Sequence, residues 1–264
     1  MRARGQGQLR LAAVLAMACA AIFAGMLRAN AETLVAALSQ ETVFIRSNFT
    51  GASLTLFGSI ERDASTVARR QGYDVVTIVR GPDEWPVVRR KDRFSGIWLN
   101  RDAMRFRSVP TYYAVQSNRS LSLIADPQVL SRYGIGLTHI DLQPVEETLE
   151  AERLVFATAL VRLRLANGLF SEAPSGVSFL TERVFSTRIR LPSNIHIGPY
   201  RVEMYLFRDG ALLARETLHF GVRKTGLESL LSETSRNQPV VYGLGAVAIA
   251  ILLGWLAGLM FRQS

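Results

Sequence analysis

The stretch "GPYRVEMYLFRDGALLARETLHFGV", residues 198–222, carries the clearest indication of the fold. Valine, tyrosine, phenylalanine and leucine recur on both sides of a central Asp209-Gly210 pair. Two β-forming runs around an Asp-Gly pair are typical of an antiparallel hairpin. The stretch therefore predicts two paired strands in a mainly β chain.

The hydrophobic pattern of this hairpin also predicts how its strands pair. A two-residue turn would place Glu203 opposite Glu216, an unfavourable pair of like charges. A three-residue loop with Gly210 in the left-handed conformation shifts the register by one and puts apolar pairs on one face. We therefore predict that loop, with these opposite partners: Leu206 and Leu212, Met204 and Ala214, Tyr200 and Leu218, Glu203 and Arg215.

Short β-type segments fill the chain before residue 118. Each is rich in β-branched or aromatic residues, and most are separated by Gly, Pro, Asn, Asp or Ser. Many short strands at near-regular spacing predict a sandwich or a barrel, and we expect one or two immunoglobulin-like β-sandwich domains. The predicted strands are 34–38, 42–46, 53–60, 73–81, 84–90, 96–100 and 111–117, with a short helix at 61–71.

The middle of the chain predicts helices. Residues 126–134, "DPQVLSRYG", have a capping Asp, a first-turn Pro and a terminal Gly. Residues 145–168 form a longer amphipathic pattern, although part of it could also be a strand. Three carboxylates crowd its start, where the helix dipole favours anions, and the alternative interpretation is a catalytic cluster. These carboxylates are Glu146, Glu147 and Glu150.

Residues 1–31 predict a secretory signal peptide. Arginines precede an apolar run from residue 11 to 27, and Ala29-Asn30-Ala31 supplies the small residues that signal peptidase reads. An uncleaved anchor helix is the alternative, although the run is at the short limit for a membrane span. Cys19 is the only cysteine and lies inside this run. The exported part is therefore expected to have no disulfide and no thiolate metal site.

Residues 240–261 predict a transmembrane helix. They form a run of 22 residues without a charge, and a helix of that length spans about 30 Å of hydrocarbon. Small residues recur every four positions on one stripe, namely Ala246, Ala250, Gly254 and Gly258, and such a stripe lets another membrane helix pack closely.

The expected divisions are a signal peptide at 1–31, an N-terminal β region at 32–125, a helical segment at 126–170, a C-terminal β region at 171–223, a juxtamembrane linker at 224–239, the transmembrane helix at 240–261 and a cytoplasmic tail at 262–264.

The charge distribution argues against a nucleic-acid partner. The chain has 31 basic and 22 acidic residues, but four basic residues precede the predicted cleavage site and Arg262 follows the apolar helix. The exported part therefore has 26 basic and 22 acidic residues, a net charge of +4. That weak excess, outside the cytoplasm, is not typical of DNA or RNA binding.

The most basic segment is "VVRRKDRFSGIWLNRDAMRF", residues 87–106. One interpretation is a hairpin with a solvated basic face, in which Trp98 lies in the core beside Ile97 and Leu99. The other is a docking surface for an anion, such as lipid headgroups, or for an acidic partner. The residues that would bind it are Arg89, Arg90, Lys91, Arg93, Arg101 and Arg105.

No catalytic signature accompanies these features. The sequence has no Gly-x-Ser-x-Gly, no His-Glu-x-x-His and no phosphate-binding loop. His139, His196 and His219 are far apart along the chain, so we expect no metal site and no cofactor. A hydrolase whose site combines these histidines with a carboxylate stays as the alternative function.

Several segments together resemble a family of alphaproteobacterial transmembrane proteins, from about Glu32 to Phe261. The segments are "ALSQETVFIRSNFTGASLTLFGSIERD", "VVRRKDRFSGIWLN", "YYAVQSNR" and "YRVEMYLFRDG". The resemblance implies a single-pass protein of a bacterial inner membrane, with its bulk in the periplasm and an accessory role beside a transporter. The resemblance provides no catalytic residues that could be assigned to this chain. We therefore expect a binding module for an anionic ligand or an integral membrane protein partner, or a homo-oligomer formed through the membrane helix in the lipid bilayer.

Overall fold

The computed structural model describes residues 32–46, 49–61, 72–94, 96–225 and 239–261, without the side chains of 94, 239, 241–242, 245–246 and 257–261. The predicted signal peptide, most of the linker at 224–239, the tail at 262–264 and nearly all of the predicted helix at 61–71 lie outside these residues. The described strands are β1 (Thr33–Leu38), β2 (Thr42–Ile45), β3 (Gly51–Glu61), β4 (Asp74–Arg80), β5 (Asp83–Glu84), β6 (Val87–Phe94), β7 (Ile97–Arg107), β8 (Val109–Pro110), β9 (Tyr113–Ser117), β10 (Gln143–Pro144), β11 (Phe170–Ala173), β12 (Val177–Phe179), β13 (Val184–Pro192), β14 (Gly198–Arg208) and β15 (Ala211–Lys224). The described helices are α1 (Leu121–Ile124), α2 (Pro127–Tyr133), α3 (Glu150–Ala166) and α4 (Pro239–Phe261).

Two sheets share one hydrophobic core. A four-stranded antiparallel sheet has the order β1-β3-β13-β12, and a six-stranded mixed sheet has the order β11-β9-β4-β14-β15-β2. Both sheets combine strands from the two ends of the chain, since β3 pairs with β13 and β4 with β14. The expectation of a mainly β chain is confirmed, whereas an immunoglobulin-like arrangement is not.

Strand β14 lies in the middle of the six-stranded sheet and is buried on both faces. Val202 and Met204 pack into the core shared with the four-stranded sheet. Tyr205 and Phe207 point to the opposite face and pack into a second core. Because side chains alternate along a strand, a strand between two cores becomes apolar at almost every position.

The second core is covered by a layer inserted between the sheet strands. Val88 and Met104 of the hairpin β6–β7 contribute to it. Leu130 of α2 and Phe156 and Leu160 of α3 complete the cover. The six-stranded sheet therefore has a sheet on one face and a mixed layer of hairpin and helices on the other.

The turn between β14 and β15 differs from the prediction. Arg208 pairs with Ala211, so the loop has two residues, Asp209 and Gly210, with φ angles of 52° and 81°. Positive φ at both positions is typical of a type I′ turn. A bulge follows between Leu206 and Phe207 and shifts the register of the remaining pairs. The predicted three-residue loop is wrong because it assumed that one face of β14 is polar.

The long helix α3 confirms the predicted helix but begins later, at Glu150. The preceding residues are held extended, because β10 pairs with β7 and Val145 N donates to Arg105 O at 2.9 Å. Glu146 and Glu147 therefore precede the helix and do not lie in its first turn. The short helix α2 and its end at Gly134, which is left-handed, are confirmed, but the side chain of Asp126 makes no capping hydrogen bond.

Helix α4 occupies the apolar segment near the end of the chain. It has 23 residues, of which none in the first turn is acidic and none in the last turn is basic. The side chains of 239, 241–242, 245–246 and 257–261 in α4 are not described. Among the residues that are described, no helix is long and apolar enough to cross a membrane. A role of α4 as a membrane span stays a prediction.

A buried ion pair joins the first described residue to the β14–β15 turn. Arg208 Nη1 donates to Glu32 Oε1 at 2.8 Å, and both side chains are buried. The Tyr73 hydroxyl donates to the same oxygen at 2.7 Å, and the Arg208 guanidinium lies 3.9 Å from the Tyr73 ring centre. The pair therefore fixes the start of the four-stranded sheet against the six-stranded sheet.

We predict that Arg208→Met destabilises the protein by about 3 kcal/mol, because it leaves the Glu32 carboxylate buried without a counter-charge. Urea unfolding of the full chain in detergent, followed by circular dichroism, measures this loss. Arg188→Met, at an exposed position of β13, is the matched control and should change the free energy of unfolding by less than about 0.5 kcal/mol. Equal stability of the two variants would refute the proposed importance of the pair.

Candidate anion-binding cleft

An arginine-rich cleft of about 500 Å³ opens on the side of the six-stranded sheet that faces the inserted layer. Its walls come from the end of β4, from β14 and β15, from the end of β7 and from α2 and the segment after it. The lining includes three carboxylates, from Asp83, Asp141 and Glu203, and five guanidinium groups, from Arg80, Arg107, Arg132, Arg201 and Arg215. The lining therefore has a net charge of +2.

The strand register brings the charges on the sheet together. Arg201, Glu203 and Tyr205 occupy alternate positions of β14 and so share one face. Arg80 of β4 lies directly opposite Arg201 in the antiparallel register. Two like charges opposite each other are unfavourable, so this part of the sheet requires a compensating anion.

Glu203 supplies that compensation within the sheet. Its side chain is buried, with 3% of the residue exposed. Arg80 Nε donates to Glu203 Oε2 at 3.1 Å, and Arg215 Nη2 donates to Oε1 at 2.5 Å. Arg80 Nη2 also donates to Gly134 O at 2.9 Å, at the end of α2. One buried carboxylate thus holds two guanidinium groups at the floor of the cleft.

Two other arginines of the cleft have no such partner. The guanidinium groups of Arg132 and Arg201 form no hydrogen bond and no ion pair with any residue that the structure describes. Both residues are exposed. A guanidinium has five N–H donors in a planar fork and cannot lose its charge at physiological pH. The cleft therefore presents the unused N–H donors of two arginines beside a floor in which one carboxylate compensates one of two guanidinium charges.

Aromatic rings shape the same cleft. The rings of Tyr133 and Tyr205 lie 5.8 Å apart, and the Arg215 guanidinium is 5.3 Å from the Tyr205 ring centre. The Arg80 guanidinium lies 4.8 Å from the ring centre of Tyr113. Burial raises the pKa of the Tyr205 phenol, and the Glu203 carboxylate raises it further. The Tyr205 phenol therefore stays neutral, and its hydroxyl donates to Glu203 Oε2 at 3.4 Å.

Burial also raises the pKa of Tyr200 to about 12, and burial raises the pKa of Tyr113 as well. In the unfolded chain a tyrosine titrates near pH 10. The folded state holds these protons more tightly, so their contribution to stability is complete below about pH 10 and is lost as the pH rises above it.

We therefore predict that the free energy of unfolding falls steadily between pH 10 and pH 12. Urea titrations at fixed ionic strength across this range measure the slope. Tyr200→Phe, which removes one buried phenol, should make the slope shallower. A stability that is constant from pH 9 to pH 12 would contradict the prediction.

The basic hairpin predicted from the sequence lies elsewhere on the molecule. Residues of β6 and β7 do pair as a hairpin, with a bulge between Arg90 and Lys91. Arg90 bonds Asp102, and Arg101 lies 3.9 Å from Asp92. None of the six basic residues predicted there lines the cleft, namely Arg89, Arg90, Lys91, Arg93, Arg101 and Arg105. Their binding of an anion or a partner stays a prediction.

The prediction that Trp98 lies in the core is wrong. Trp98 is 67% exposed, Ile97 is 65% exposed and Leu99 is 48% exposed. They lie where β7 leaves the hairpin turn, beyond the part of the hairpin that Val88 and Met104 fix to the core. These apolar residues therefore form an exposed tip of the hairpin and do not belong to its core.

The other predicted features remain separate from the cleft. Ala250 and Gly254 lie on α4, whereas the side chain of Ala246 and the surroundings of Gly258 are outside the described part. Among described residues, no group of three or more His, Cys, Asp or Glu side chains could hold a metal ion. His139 Nδ1 lies 2.8 Å from Ile135 O, and His196 Nε2 lies 3.9 Å from Glu84. The His196–Glu84 distance is too long for a hydrogen bond, and a hydrolytic site built from these histidines stays a prediction.

A larger groove of about 920 Å³ runs beside β9 and β13. Its buried polar groups bond to one another and to the backbone. Gln116 Nε2 donates to Arg188 O at 2.8 Å, and Thr187 Oγ1 donates to Gly176 O at 2.8 Å. The groove also has two exposed arginines, Arg188 and Arg190, but unlike the cleft it has no carboxylate in its lining to hold them in place.

Sequence reasoning missed the cleft because its arginines are spread from residue 80 to residue 215. Only the pairing of β4, β14 and β15 and the position of α2 bring them together. One signal was available in the sequence. Glu203 lies within the apolar run from Val202 to Phe207, and a buried charge requires a partner.

Comparison with known proteins gives one family match. Residues 33–263 match the model of a family described as "Putative transmembrane protein (Alph_Pro_TM)". The match extends over the sheets, the cleft and α4. A search of curated proteins found no match.

Proposed function

The chain belongs to the family described as "Putative transmembrane protein (Alph_Pro_TM)", and we propose that it is a membrane-anchored module that binds a small anion in the arginine-rich cleft. One observation carries the proposal. Arg132 and Arg201 line a cleft in which no described residue pairs with them, while Glu203 holds the two arginines of the floor.

The chemistry of the cleft suits an oxyanion or a carboxylate. A guanidinium fork matches the oxygens of carboxylate, phosphate or sulfate and can bond two of them at once. Hydrogen bonds to charged groups contribute about 1.5–3 kcal/mol each, more than neutral ones do. A volume of about 500 Å³ lies within the usual range for small-molecule sites. The ligand that fits is therefore a small anion, with room for an apolar part against the tyrosine rings.

The anchor in this proposal is α4. Its 23 residues would extend about 34 Å at 1.5 Å per residue, enough to cross the hydrocarbon of a bilayer. Apolar side chains at Leu244, Ile249 and Leu253 are exposed, as expected for contact with lipid. The predicted signal peptide would place the body in the periplasm of the bacterial inner membrane. A stripe of small residues on α4 would then contact a transporter or a second copy of the chain.

Binding can be measured by isothermal titration calorimetry on the full chain in nanodiscs. Sulfate, sulfite, phosphate and acetate are the probes. We expect at least one of them to bind, and Arg201→Gln or Arg132→Gln to weaken its affinity at least tenfold, as the loss of a charged hydrogen bond implies. Arg188→Gln, an exposed arginine of β13 outside the cleft, is the control. If Arg201→Gln, Arg132→Gln and Arg188→Gln all bind the anion with the same affinity, the cleft is not the binding site.

The anchor has its own test. A periplasm-dependent alkaline phosphatase fused after Lys224 should be active, and the same reporter fused after Ser264 should be inactive, since the latter position would lie in the cytoplasm. A cytoplasm-dependent reporter at the same two positions is the control and should show the opposite pattern. Periplasmic activity after Ser264 would contradict the topology.

A further inference from the structure

The tip of the hairpin β6–β7 exposes three consecutive apolar residues, Ile97, Trp98 and Leu99, which are between 48% and 67% exposed. The outer end of the hairpin pairs only within itself, from Lys91 opposite Asn100 to Phe94 opposite Ile97. Exposed apolar groups in a row are costly in water and often mark an interaction site. An isolated tryptophan on a surface needs no partner, but a tryptophan between two exposed aliphatic residues does.

The same hairpin carries an excess of positive charge. Residues 89–105 contain six basic and two acidic residues, a net charge of +4. Residues 32–239 as a whole contain 26 basic and 22 acidic residues, which is also a net charge of +4. The rest of this region is therefore neutral overall, and its excess charge lies on one hairpin.

The two acidic residues of the hairpin are already engaged. Asp102 is bonded to Arg90, and Asp92 lies 3.9 Å from Arg101. Arg89, Lys91, Arg93 and Arg105 have no ion-pair partner among the residues that the structure describes. Arg105 lines a pocket together with Glu146, Glu147 and Glu152. The other three, Arg89, Lys91 and Arg93, are therefore the uncompensated cations along the strands that carry the apolar tip.

We propose that this tip docks on an anionic lipid surface, with Trp98 and its neighbours among the headgroups and the cations against lipid phosphates. The combination fits the boundary of a bilayer, where apolar side chains leave water and basic groups meet negative charge. Tryptophan is amphipathic and favours this boundary. Lys91 and Arg93 have long apolar stems, which lets their charged ends reach the phosphates while the tip is immersed.

The site is independent of the anion-binding cleft, because none of the tip residues and none of the three cations lines the cleft. It adds a second contact with the membrane besides α4. An acidic protein surface would also attract the cations, but it would have to supply a matching apolar pocket for three projecting side chains. A fluid headgroup region accepts them without such a pocket.

The test uses the mature full chain, which has no cysteine of its own after the predicted cleavage. A nitroxide label at Ile97→Cys is compared with a label at Ser178→Cys, an exposed position of β12. Both are measured in nanodiscs with one third phosphatidylglycerol and in nanodiscs of phosphatidylcholine alone. The ratio of collision with oxygen to collision with a water-soluble nickel chelate reports immersion.

We expect the Ile97 label to be protected from the nickel chelate in the phosphatidylglycerol nanodiscs and the Ser178 label to be fully accessible. The double variant Lys91→Gln/Arg93→Gln should reduce this protection to the level seen in phosphatidylcholine. Arg201→Gln, a variant of the cleft, should leave the protection unchanged, which separates this site from the proposed function.

Two results would overturn the proposal. One is an Ile97 label that is as accessible to the nickel chelate as the Ser178 label in every nanodisc. The other is protection that occurs only in native membranes and not in pure lipid, which would assign the tip to a protein partner. Circular dichroism of each labelled variant confirms that the fold is intact.

Discussion

The structure depends on a central strand that is buried on both faces. Val202 and Met204 of β14 pack against the four-stranded sheet, and Tyr205 and Phe207 pack under the inserted layer. A buried charge on such a strand needs a partner within hydrogen-bond distance, because an unpaired buried charge is strongly destabilising. Glu203 is such a charge, and its position determines what surrounds it.

That requirement explains the composition of the cleft. Arg80 and Arg215 bond Glu203 from the neighbouring strands, and Arg80 also ties the end of α2 to the sheet. Glu203 compensates part of the charge of Arg80 and Arg215. Arg132 and Arg201 at the rim of the cleft add positive charge that no described residue pairs with. The cleft is thus rigid at its floor and charged at its rim, an arrangement that preorganises donors for a ligand and avoids the entropic cost of ordering them on binding.

Much of the secondary structure follows from the sequence, since β-branched runs, turn residues and caps are local signals. The short helix α2 is found where the pattern predicts it, and the predicted strands before residue 118 overlap observed ones. However, 84–90 is divided between β5 and β6, and 96–100 is only the first part of β7. Errors arose where tertiary pairing decided the outcome. The β14–β15 turn depends on burial of a second face, the late start of α3 depends on pairing with β7, and the exposure of Trp98 depends on how far the hairpin extends beyond its core contacts. The cleft could not be predicted, because its residues meet only through strand register.

The most direct measurement is anomalous diffraction from crystals of the full chain soaked in selenate, an oxyanion with a strong selenium signal. An anomalous peak within hydrogen-bond distance of the guanidinium groups of Arg132 or Arg201, in the cleft above the Glu203 carboxylate, is the expected result. Selenium peaks confined to the outer surface, with the cleft empty at saturating selenate, would contradict the central claim that charge compensation inside the sheet leaves these arginines available to an anion.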